Sequence, residues 1–367
     1  AGDDRRQRSH PQSIARPVKV GPGKPETAPK TRGLRRSGPA FALESRRINF
    51  QAYGKTGPTE SGVPGDYTIG VEEEYQLVDA ETGALRSRAS DVLSTDWADE
   101  IKGELHETTV EIGTPVCDGL ESVERELSRA RFQAAATAAA EGLEIVSAGT
   151  HPFSGWQGHG FQKGSRYLEM TVRHDRIARE VNIFGMHIHV GVPERLERAV
   201  LMERVRGYIP HLLALSCSSP FLDAEDTGFA SYRSILWRQY PYTGIPPRFD
   251  SDREFQEFIE LLLRSQAIHD RGNLYWSVRP HFSYPTIEFR ATDACPRVED
   301  AATIAGLARI VVAGVAEGTL EATGQEALSA DAWRAASRMP NVLQNLLGEG
   351  TLSASFIPEY SKLLEEG

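Results

Sequence analysis

Glu72 and Glu74, His187 and His189, and Glu288 and Arg290 are three pairs of ionisable residues spaced two apart. Each pair sits in a short run of β character: Gly70-Val71-Glu72-Glu73-Glu74-Tyr75, Gly185-Met186-His187-Ile188-His189-Val190 and Thr286-Ile287-Glu288-Phe289-Arg290-Ala291. A fourth run, Thr109-Val110-Glu111-Ile112, adds Glu111. A strand sends alternate side chains to opposite faces, so each pair shares a face. Met186, Ile188 and Val190, and likewise Ile287, Phe289 and Ala291, take the other phase. Carboxylate oxygens joined by imidazole nitrogens suit a hard divalent cation such as Mg²⁺ or Mn²⁺. These residues read as a metal site built on a sheet.

Each motif alone has a plainer reading. Glu72-Glu73-Glu74 reads equally as a solvated edge strand, which fits Glu73 but not Val71, Tyr75 and Leu77 on its phase. Two histidines on one face can ligate a metal or contact phosphate. Structural zinc is disfavoured, because no Cys cluster or further His-x-His run accompanies them. Glu288 and Arg290 could form an ion pair in a structural sheet. Arg279 and His281 repeat the pattern, with Val278 and Phe282 opposite. There is no Gly-x-x-x-x-Gly-Lys-Ser/Thr loop and no Gly-x-Ser-x-Gly elbow, so a bound nucleotide would have to be held by metal ions and arginines.

The chain of 367 residues, 40% hydrophobic, can bury one large core or two modest ones. No run has the length of a membrane span, and the N-terminus lacks the apolar core of a secretory signal. Three scattered cysteines argue for a reducing, cytoplasmic setting. Residues 1–47 hold 12 Lys/Arg against 4 Asp/Glu, and the remainder 29 against 47. An acidic body argues against nucleic-acid binding. Residues 1–65, basic and rich in Pro and Gly, are expected to be a disordered extension. Beyond them the pattern predicts strands at Tyr67–Val78, Leu105–Ile112, Leu143–Ala148, His187–Val192, Tyr275–His281 and Thr286–Ala291. Helices are predicted at Leu120–Glu141, Arg166–Val181, Glu194–Leu215 (divided or kinked at Pro210), from Asp252 to about Ile268, and Glu299–Glu317.

Five blocks in order resemble the bacterial carboxylate–amine ligase family, also called the second type of glutamate–cysteine ligase. They are Gly70 to Tyr75, Glu104 through Glu111-Ile112-Gly113-Thr114-Pro115, Gly149-Thr150-His151-Pro152-Phe153, Gly185 to Val190 and Ile287 to Asp293. The Gly-Met-His-x-His block also resembles glutamine synthetase. The resemblance covers roughly residues 66–316. It implies an α+β fold: a glutamine synthetase-like antiparallel sheet curved into a half-barrel, with helices packed outside and ATP and divalent metals on the concave face. By position it implies Glu72, Glu74, Glu111 and Glu288 as metal ligands, and His187 as the histidine of metal and nucleotide phosphate, with His189 beside it. Arg290 matches the arginine of the transferring phosphoryl group, and Arg233 lies where a substrate-carboxylate arginine would serve. Glu104 is a further acidic ligand that a single strand would put out of phase with Glu111, so a bulge or bend is required.

The resemblance implies a catalytic domain over 66–318, followed by a divergent segment, 319–367. There Asp331-Ala332-Trp333-Arg334-Ala335-Ala336-Ser337-Arg338 keeps the family tryptophan but alters the asparagine and arginine positions. The implied activity is ATP-dependent amide formation through an acyl phosphate, from small carboxylate and amine substrates, with glutamate and cysteine the default pair. A metal-dependent hydrolase and a catalytically impaired nucleotide- or metal-binding relative stay open as alternatives, and a homo-oligomer is compatible with the sequence.

Overall fold

The computed structural model describes residues 66–95 and 100–321. The basic N-terminal segment and the 331–338 block lie outside the described residues. In chain order the elements are β1 (Ile69–Asp79), α1 (Ala89–Leu93), β2 (Ile101–Gly103), β3 (Thr109–Gly113), α2 (Leu120–Ala140), β4 (Leu143–Val146), α3 (Ser165–Glu180) and β5 (Met186–Gly191). They continue with α4 (Arg198–Val205), α5 (Ile209–Ser216), β6 (Phe221–Leu222), β7 (Glu225–Asp226), α6 (Arg233–Trp237), α7 (Asp252–Arg264), β8 (Val278–Pro280), β9 (Thr286–Phe289) and α8 (Val298–Glu317).

The main sheet runs β2-β3-β1-β5-β9-β8, with β4 paired to the far end of β1, and every pairing is antiparallel. It is an open, curved sheet. Long β1 is therefore a central strand, and Glu73 is fully buried on its helix-covered face rather than solvated at an edge. Alternation builds this face: Ile69 and Val71 of β1, Met186, Ile188 and Val190 of β5, and Ile287 and Phe289 of β9 join one core with residues of α4, α5, α7 and α8. A second cluster packs Tyr75, Leu77, Val110 and Ile112 under Ala130, Ala134 and Ala138 of α2, whose buried positions recur at helical spacing. At roughly 1.5–3 kcal/mol per large buried apolar side chain, this face holds the sheet together and leaves the other free for polar residues.

The structure refines several expected elements. The predicted helix 194–215 divides into α4 and α5 around a 3₁₀ turn at Arg206–Tyr208, and Pro210 opens α5, where a missing N–H costs nothing. Ser251 caps α7 by accepting from Glu254 N at 3.1 Å. The strand expected over 105–112 begins only at Thr109 and pairs with β2, which the sequence pattern missed because three residues carry no periodicity. No helix among the described residues is long and apolar enough to cross a membrane.

Candidate active site

Antiparallel register gathers the ionisable residues on the sheet face away from α2 and α8. Glu74 stands opposite Glu111, which stands opposite Lys102. Glu72 faces His187. His189 faces Glu288, and Glu288 faces Arg279. Directly opposed residues share a face with closely spaced Cβ atoms, so strand pairing alone assembles the site.

Two groups of three result. Glu72, His189 and Glu288 each present a ligand atom within 4.8 Å of the others, and so do Glu74, Glu104 and Glu111. Glu104 joins the second group because the chain bends at Leu105 instead of continuing as one strand into β3. Glu104 follows β2 directly and Glu111 lies in β3, so the two occupy opposite arms of a hairpin and single-strand phase does not apply.

In the first group, Glu72 Oε2 lies 3.5 Å from His189 Nε2 and 3.6 Å from His187 Nδ1. Thr286 Oγ1 stands 3.2 Å from His189 Nδ1, whereas the buried Nε2 has no hydrogen-bond partner. With Nδ1 tied to the threonine, Nε2 is the nitrogen left for a ligand. His187 lies on the same carboxylate but outside both groups of three. Burial, reinforced by Arg290, pushes the His187 imidazole down to about 4, so it is neutral near pH 7. Burial alone would raise Glu72, yet the adjoining imidazoles of His187 and His189 hold it well below the carboxylate range.

Glu288 is clasped by two arginines. Arg279 Nε donates to Oε2 at 2.6 Å and its Nη2 to Oε1 at 3.3 Å, and Arg290 Nη1 donates to Oε1 as well. Burial pushes Glu288 upward, but Arg290 and Arg279 outweigh it and keep the group ionised. The ion-pair reading and the cluster reading both describe this residue. Arg290 keeps a buried Nε without a partner and interacts electrostatically with Glu288, Glu74 and Glu72, linking the two groups.

The second group has less compensation. Burial, then Glu104, raises Glu74 to about 7, although Gly185 N donates to its Oε2 at 2.6 Å. Burial raises Glu111 well above its ordinary value, and Glu72, Glu104 and Glu74 add to this. Lys102 Nζ approaches Glu111 Oε1 only to 3.7 Å. Buried and half-buried carboxylates that repel one another, beside an unpartnered imidazole nitrogen, are a donor set that fits divalent cations.

Arg233 is buried at the edge of this arrangement. Its guanidinium donates to the carbonyls of Ala291 at 3.3 Å and Arg290 at 3.4 and 3.5 Å, and lies 3.9 Å from Asp293 Oδ1. A Cβ on Gly185 would fall 2.2 Å from Arg233 Nη2, which explains the glycine that opens the Gly-Met-His-x-His run. Sequence reasoning drew no role for Asp293, whose carboxylate accepts from Ser218 N, Ser219 Oγ and Ser231 Oγ at 2.6–3.0 Å. It also missed Thr286, for which no sequence signal exists. Arg279 was visible only through its shared face with His281.

Comparison with known proteins agrees with this architecture. The family described as glutamate-cysteine ligase family 2 matches residues 68–342, and the chain belongs to that family. A relative from Roseiflexus castenholzii, named "Putative glutamate--cysteine ligase 2", is 42% identical over 249 residues, 67% of this chain. The match spans 66% of that relative's own length, a little under two thirds. A glutamate–cysteine ligase from Francisella tularensis, solved in complex with AMP, superposes with a TM-score of 0.57 at 11% identity, covering 76% of this chain and 72% of that one. A bifunctional glutathione synthetase from Pasteurella multocida gives 0.54 at 17% identity, covering 74% of this chain and 41% of that one. At such identities the likeness concerns the fold, which is the glutamine synthetase-like α+β type with an open antiparallel sheet.

Proposed function

We propose that this chain is an ATP-dependent carboxylate–amine ligase, with glutamate and cysteine the first substrates to try. The observation that carries the reading is the pair of ligand groups set side by side on one sheet face with Arg290 in electrostatic contact with both. Glu72, Glu288 and His189 would hold one Mg²⁺ or Mn²⁺, and Glu74, Glu104 and Glu111 another. When bound, such cations neutralise phosphate oxygens during phosphoryl transfer.

The protein's own groups do the rest. Arg290, steadied by Glu288 at one nitrogen, aims its remaining N–H groups at the phosphoryl group as it passes from ATP to the substrate carboxylate. The product is an acyl phosphate, which the amine attacks with loss of phosphate. His187, neutral and adjacent to Glu72, would donate a hydrogen bond to phosphate oxygen. Arg233 supports the Arg290–Ala291 backbone and supplies positive charge beside Glu74, the side from which a substrate carboxylate would be drawn.

The test is ADP release with Mg²⁺ across paired amino acids and amines. Release that requires both partners is expected. Release that proceeds with neither acid nor amine present would make the site a hydrolase instead.

A further inference from the structure

The turn joining β8 to β9, Phe282-Ser283-Tyr284-Pro285, carries an aromatic pair that the chemistry above does not use. His281 and Tyr284 stack face to face, with ring centroids 4.8 Å apart and planes 13° from parallel. Both rings also meet His189 edge-on, His281 at 5.1 Å and Tyr284 at 6.4 Å between centroids. The pair therefore adjoins the group formed by Glu72, His189 and Glu288. Tyr284 is nevertheless 59% exposed, although large aromatic side chains stabilise proteins chiefly when buried.

The turn is built to hold that ring in place. Backbone N–H groups of Ser283 and Tyr284 donate to His281 Nδ1 at 3.2 and 3.0 Å. Arg198 Nη1 donates to the carbonyls of His281 and Tyr284 at 2.7 and 2.8 Å, clamping both ends. Phe282, on the other phase, stacks on Phe255 at 6.2 Å and packs against the core. One aromatic residue anchors the turn and the other is displayed. A ring fixed in advance loses little freedom on binding a planar partner.

We infer that Tyr284, backed by His281, is the stacking platform for the purine base of the nucleotide whose phosphates occupy the neighbouring ligand group. This rests on the nucleotide reading above and adds the residue that recognises the base. Stacking accepts any π face, so the platform contributes affinity rather than choice among bases.

The experiment compares Mg²⁺-ATP with Mg²⁺-tripolyphosphate, which has the phosphates but no base, by calorimetry on the parent protein, Tyr284→Ala and Tyr284→Phe. Tyr284→Ala is expected to weaken ATP about tenfold or more, by the usual magnitude of base–aromatic stacking, and to leave tripolyphosphate unchanged. Tyr284→Phe should bind both as the parent does. ATP affinity within about twofold of the parent in Tyr284→Ala, or equal losses for both ligands, overturns the platform alone. A parent protein that binds tripolyphosphate and ATP equally well also overturns it. A parent that binds neither ligand removes the nucleotide reading and the platform with it.

Discussion

Glu73 and Glu74 are neighbours on one strand, the first fully buried and the second half-buried, yet their surroundings are opposites. Glu73 faces α2, where Arg131 Nη2 and Nε donate to its two oxygens at 2.6 and 2.9 Å and the Tyr75 hydroxyl donates to it as well. Arg131 is itself held by the carbonyls of Cys295 and Pro296, at 2.9 Å each. Glu74 faces the open side of the sheet, where its closest companions include two more carboxylates. One carboxylate is neutralised by the protein, and the other lies in a group whose charge the protein leaves in excess. Burial alone does not mark a functional acid; burial without a matching cation does.

The largest effect expected from this contrast is on stability. Arg131→Met would strand Glu73 in the core and cost about 3–5 kcal/mol, the usual penalty for removing one partner of a buried pair. Glu111→Gln, which relieves repulsion, should leave metal-free stability equal or higher while reducing Mg²⁺-dependent stabilisation. Denaturant melts in chelator and in Mg²⁺ measure both. The contrast breaks if Glu111→Gln destabilises the metal-free protein as much as Arg131→Met does.

A smaller effect follows from proton linkage. Glu74 sits near 7 and Glu111 well above the ordinary range, whereas both titrate near about 4.3 in an unfolded chain. The folded metal-free protein therefore binds more protons between those values. The stabilisation is complete below about pH 4.3; Glu74's share is lost as pH rises through about 7, and Glu111 adds a loss of the same sign. His187 and His106, each pushed down to about 4 by burial, act with the opposite sign, but their contribution is complete by about pH 6.5. Between about pH 6.5 and 8 the melting temperature in chelator should fall, and saturating Mg²⁺ should flatten the slope. A slope that Mg²⁺ leaves unaltered would assign the loss to other groups.

What the sequence made legible follows the same division. Period-two alternation put Glu72 with Glu74 and His187 with His189, because a strand face is a local property. It could not say that Glu73 is covered, because that depends on α2 crossing a strand 58 positions away. Glu104 was out of reach for single-strand phase, since a hairpin and not a strand relates it to Glu111. Arg279 joins Glu288 through strand register, and Thr286 joins His189 through a hydroxyl too small to leave a pattern. The helices were read well where apolar spacing was long, as in α2 and α8, and poorly where elements are short, as in α1, β2 and α6.

The smallest effect sharpens the comparison at one hydroxyl. Thr286 Oγ1, at 3.2 Å from His189 Nδ1, fixes which nitrogen faces Glu72 and Glu288. Thr286→Val keeps the shape and the β-branching that suit a strand but removes that contact. Loss of such a supporting hydrogen bond typically costs a ligating histidine 10–100-fold in metal affinity, and about tenfold is expected here because packing still confines the ring. Mn²⁺ titration followed by electron paramagnetic resonance reads the change, with the melting temperature in chelator as a check that folding is intact. His187→Ala should cost less Mn²⁺ affinity than His189→Ala, since His187 Nδ1 reaches Glu72 at 3.6 Å but stands outside both groups of three. If Thr286→Val binds Mn²⁺ as the parent does while His189→Ala does not, the ring is held by packing alone. If His187→Ala is the more damaging variant, the ligand of the first group is His187, and the unpartnered Nε2 of His189 needs another explanation.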